Sequence, residues 1–159
     1  MRAGTPRLPG RQYYVPERLG ANRRLCGAIP NGNEADACHD WRMVSMSREE
    51  FESAVDDALD MVPEELLDLM DNVVILVEDD APDGDPDLLG LYDGVSLTDR
   101  GADWGMGELP DRIFIYMNPT LAMCADADEV RDEVAVTVVH EIAHHFGIDD
   151  ERLHELGWG

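Results

Sequence analysis

The chain has 159 residues and a formal net charge of −23, with no lysine, so arginine supplies all 12 positive charges. Hydrophobic residues make up 44%, enough to bury one modest core. The acidity points away from nucleic acid, whose phosphates need Lys and Arg, and the longest apolar runs, such as Val73–Val77, are too short to cross a bilayer.

The charge is unevenly spread. Residues 1–45 carry seven Arg and four acids, a balance of +3, and residues 46–159 carry −26. The first segment is rich in Gly, Pro, Asn and Arg and has no sustained period, so it reads as a disordered extension before a folded domain at 46–159. No apolar stretch follows its early arginines as a secretory leader requires. Three cysteines, Cys26, Cys38 and Cys124, make no disulfide framework. A reducing cytoplasm is the compartment this composition suggests.

Ser47-Arg48-Glu49-Glu50 has the form of a capping box. Phe51, Ala54, Val55, Ala58, Leu59 and Val62 then lie on one helical face. Pro63 suits the first turn of a short second helix through Leu66, Leu67 and Met70. Val73–Val77 is a β-branched run, expected as a strand covered on both faces. The acidic stretch 78–87 lacks the ligand order of a calcium loop and reads as a solvated connection. Asp93-Gly94 suggests a tight turn between Leu88–Tyr92 and Val95–Leu97. Residues 98–110 read as a loop with Trp104 folded onto the core. Arg112–Met117 is a further strand, stopped by Asn118-Pro119, and a candidate exposed edge for an extended peptide.

The last long element is a helix. Asp126 is its expected N-cap, with Asp128, Glu129, Asp132 and Glu133 in the early turns, where the dipole favours acids. Val130, Val134, Val138 and Ile142 form one row, and Ala135, Val139, Ala143 and Phe146 the next. Gly147 can take the left-handed conformation that ends it. Into this apolar helix the chain places His140-Glu141-Ile142-Ala143-His144. Side chains four apart stack on one face, so two imidazoles can reach one metal ion. Glu141 is turned about 100° from His140 and can serve as a general base rather than a ligand. Gly147 reverses the chain and brings Asp150 back as the third ligand, leaving a fourth position open for water. His145 points elsewhere and reads as a packing or supporting residue; Asp149 competes with Asp150, and spacing favours Asp150.

The pattern His140-Glu141-x-x-His144-x-x-Gly147-x-x-Asp150 resembles the extended zinc motif of snapalysin-type zincins. The longer string HEIAHHFGIDDERLHELGW is similar to that of small bacterial zincin-like metallopeptidases with a minimal fold, a likeness covering about residues 46–159. The resemblance implies an α+β fold: a small mixed β-sheet packed on an active-site helix and a backing helix. It implies a peptidase with one Zn2+ per chain on His140, His144 and Asp150, a zinc-activated water and Glu141 as general base. Its partner is then a peptide or protein substrate, with neither nucleic acid nor membrane. Tyr116, Arg152 and His154 are candidates for stabilising the oxyanion. Two alternatives stand beside this reading. A metal-binding scaffold without turnover has no need of Glu141. A metal-dependent endoribonuclease of related ligand spacing carries Gly where Glu141 stands, and the domain's charge would repel RNA.

Overall fold

The computed structural model describes residues 11–14 (as backbone), 44–70, 72–101 and 109–156. Trp104 and the cysteines at 26 and 38 lie outside them. The fold is α+β, a mixed sheet against helices. Helix α1 (Arg48–Asp60) begins at the expected capping box: Ser47 Oγ accepts from the Glu50 amide, and the Glu50 carboxylate accepts from the Ser47 amide at 2.8 Å. Phe51, Ala54, Val55 and Ala58 are buried. The short helix α2 (Glu64–Leu67) follows Pro63. Strands β1 (Arg11–Tyr14), β2 (Val73–Glu78), β3 (Gly90–Asp93) and β4 (Asp111–Tyr116) form one sheet in the order β1-β3-β4-β2. β4 is parallel to β2 and antiparallel to β3, and β1 is antiparallel to β3. β1 comes from the segment 1–45; apart from it and Val44 and Ser45, that segment lies outside the described residues.

Helix α4 (Ala127–His145) crosses one face of the sheet, and α1 packs beside it. Its N-cap is Asp126, which accepts from the Asp128 and Glu129 amides at 3.0 and 2.9 Å. Val130, Val134, Val138 and Ile142 meet Phe51, Val55, Tyr92, Ile113 and Ile115 in the main core. Such burial is worth about 1.5–3 kcal/mol for each large side chain. A smaller apolar cluster of Ala81, Leu88, Leu91 and Tyr116 forms separately. No helix among the described residues is long and apolar enough to cross a membrane.

Four expectations need correction. β2 is not covered on both faces: Val74 and Leu76 are 39% and 37% exposed, because β2 is an edge strand and its alternate residues point away from the helices. β4 is not an edge; it lies between β3 and β2 and has no free edge to offer a peptide. The Asp93-Gly94 turn closes no hairpin. Side chains take the backbone groups of Val95 instead: Asp111 Oδ1 accepts from its amide at 3.4 Å, and Arg100 Nε donates to its carbonyl at 3.0 Å. The chain then turns through a 3-10 segment at Leu97–Asp99. Asn118-Pro119 not only stops β4 but starts helix α3 (Met117–Met123), where a proline in the first turn forfeits no helical hydrogen bond.

Candidate metal centre

Helix α4 ends as its glycine predicts. Gly147 has φ +83°, its amide donates to the His144 carbonyl at 3.0 Å, and the Ile148 amide donates back to the Ala143 carbonyl at 3.0 Å. The reversal leads into helix α5 (Asp150–Leu156), an element with no clear signal in the sequence. Asp149 caps α5, its Oδ1 accepting from the Arg152 amide at 2.9 Å, which leaves Asp150 to face α4. Of the two acids, Asp150 is the one whose carboxylate groups with the two histidines.

His140, His144 and Asp150 each offer a ligand atom, and these atoms lie within 4.8 Å of one another. All three come from the eleven consecutive residues 140–150. The two imidazoles stand edge to face, their centroids 4.6 Å apart. His140 Nε2 is 3.1 Å and His144 Nε2 3.2 Å from the same atom, Asp150 Oδ1. Both histidine side chains are buried, whereas the carboxylate is about half exposed. The hydrogen bond with His140, the largest cause, holds the Asp150 carboxyl well below the usual carboxylate range, against the opposing effect of burial.

The orientation of His144 carries chemical information. Its Nδ1 lies 2.8 Å from the Ile148 carbonyl, which can only accept, so Nδ1 bears the proton. In the neutral ring Nε2 then presents a lone pair. It is buried and makes no hydrogen bond among the described residues, yet it faces a carboxylate oxygen. Two lone pairs at this distance repel unless a cation lies between them, so this donor set fits a metal ion. Two imidazoles and a carboxylate, with a backbone carbonyl fixing one ring, are a zinc-type ligand set.

Glu141 is fully buried between α4 and β3. A residue that periodicity did not single out makes room for it: a Cβ at Gly90 would lie 2.5 Å from Glu141 Oε1 and 2.7 Å from Thr137 Cγ2. Gly90 thus lets β3 close onto the helix beside this carboxylate. A glycine inside a strand was the available signal.

His145 belongs to a second buried cluster, on another side of α4. Asp111 Oδ2 accepts from the Tyr92 hydroxyl at 2.7 Å and lies 3.1 Å from His145 Nδ1 and 2.5 Å from Arg100 Nη2. Burial above all, then the bond to Asp111, raises the Tyr92 phenol far above its ordinary value. Burial also lowers the His145 imidazole, with Asp111 opposing.

Of the oxyanion candidates, Tyr116 lies away from the site. Tyr116 packs in the smaller apolar cluster, two places along β4 from Phe114 and off the Ile113 and Ile115 face that meets α4. Arg152 is exposed and donates to Glu155 at 2.6 Å. His154 is exposed on α5.

Residues 70–158, more than half of the chain, match the family model described as zincin-like metallopeptidase. The chain belongs to that family. No curated protein is similar enough to stand beside it as a relative.

Proposed function

We propose that this protein is a zinc-dependent peptidase in which His140, His144 and Asp150 hold the ion and Glu141 is the general base. The observation that carries the reading is the convergence of His140 Nε2 and His144 Nε2 on Asp150 Oδ1 at 3.1 and 3.2 Å, next to the buried Glu141. When bound, zinc would supply Lewis acidity, polarising a peptide carbonyl and making a water acidic near neutral pH. Ile148 holds the His144 ring through its carbonyl, and Asp150 gives the site its negative charge. Glu141 takes a proton from the attacking water and passes it to the departing amine, a role that needs a carboxylate close to, but not bound by, the ion.

Glu141→Gln preserves the shape of the side chain and removes the base. Turnover of peptides from a casein digest, followed by mass spectrometry, should fall by roughly 10²–10⁴ while zinc content stays at one per chain. Equal cleavage by the two proteins would refute the assignment. Zinc binding with no cleavage by the wild type would favour the scaffold.

A further inference from the structure

Strand β3 runs alongside the functional half of α4. Gly90 packs against Glu141 and Thr137, and Tyr92 reaches His145. One edge of β3 is taken by β4 and the other by β1. In that pairing Arg11 stands opposite Asp93, Gln12 opposite Tyr92, Tyr13 opposite Leu91 and Tyr14 opposite Gly90. The last residue of β1 is therefore one strand spacing, about 4.8 Å, from the glycine that touches Glu141. The other outer strand of the sheet, β2, is two strand positions beyond β3, roughly 10 Å away.

Among the described strands, the edge of β3 that β1 covers is the one nearest Glu141 for an extended peptide joining the sheet. Resting on the peptidase reading above, we infer that Arg11–Tyr14 occupies the strand position of an extended peptide substrate, which makes the N-terminal segment an intramolecular competitor for the site. Charge favours the arrangement: the segment 1–45 is +3 and the rest of the chain −26, so the two attract. Tethering favours it too, because a segment of the same chain competes without the cost of bringing two molecules together. An external peptide must displace it, and one strand of four residues is short enough to be displaced.

The test uses the full chain carrying Glu141→Gln, so that the probe survives. The probe is a fluorescein-labelled synthetic peptide with the sequence of residues 9–16, read by fluorescence anisotropy in the presence of zinc. Gln12→Pro with Tyr13→Pro removes two consecutive amide donors from β1 whichever of them faces β3. The double variant should bind the probe at least tenfold more tightly than its parent. The pair Gln12→Gly and Tyr13→Gly, milder for the fold, should move affinity the same way by a smaller factor and decides the matter if the proline variant unfolds. Equal affinity in parent and variants, or no binding by any of them, would overturn the inference. Tighter binding by the variants, combined with no hydrolysis by the wild type, would remove the peptidase reading and leave the peptide-binding edge standing.

Discussion

Two adjacent histidines on one helix lead into regions of opposite character. His144 faces Asp150, whose carboxylate is about half exposed and is met by imidazole nitrogens. His145 faces Asp111, whose carboxylate is 4% exposed and already serves a phenol, a guanidinium and a backbone amide. Both histidines are buried and lie 3.1–3.2 Å from their carboxylates, so distance does not separate the pairs. The contrast lies in what each carboxylate still lacks. Asp111 has a hydrogen-bond donor or a positive charge from each neighbour, so its carboxylate is already satisfied. Asp150 meets a nitrogen whose proton is on the other side of the ring, an arrangement that suits a cation.

The strongest way to break this comparison is to exchange the roles. His144→Ala should reduce bound zinc from one per chain to near zero, whereas His145→Ala should leave it at one. Elemental analysis decides, and equal metal content in the two variants would dissolve the distinction. Next in size is Asp111→Ala. Asp111 is buried and Arg100 largely so, and removing one partner of a buried pair costs about 3–5 kcal/mol. Denaturant unfolding should show that loss, with zinc retained by the protein that remains folded.

The smallest effect sharpens the contrast through pH. The Tyr92 phenol titrates well above its unfolded value, near 10, so the folded state favours its neutral form. That contribution is fully present below about pH 10 and is lost as pH rises from there towards the folded value. Unfolding midpoints should therefore drop between about pH 9.5 and 11, and Tyr92→Phe should flatten the drop. An unchanged pH profile in Tyr92→Phe would show that the cluster does not depend on that proton.

What could be read from the sequence was local. The Ser47–Glu50 box, the rows of α4, the Asp126 cap, the Gly147 stop and the His140–Asp150 spacing each depend on neighbours within eleven residues. What escaped was non-local. Asp111 gathers partners from positions 92, 100 and 145, and nothing periodic links them. Val73–Val77 carries the apolar run of a central strand yet lies at an edge, because strand order is set by pairing rather than by composition. Arg11–Tyr14 is four residues long, and its partner β3 begins at Gly90. Helix α5 was hidden by its acidic, nearly unpatterned face, with Leu153 its buried residue.

The placement of all three candidate ligands within residues 140–150 bears on how metal and fold depend on each other. Closing so short a stretch of chain costs little entropy, since that cost grows with the logarithm of loop length. An unfolded chain can therefore gather much of the same donor set before any sheet exists. An ion with appreciable affinity for the unfolded chain raises the melting point less than its affinity for the native protein suggests. Metal taken up by this stretch would therefore lend part of its binding energy to the unfolded chain as well as to the domain.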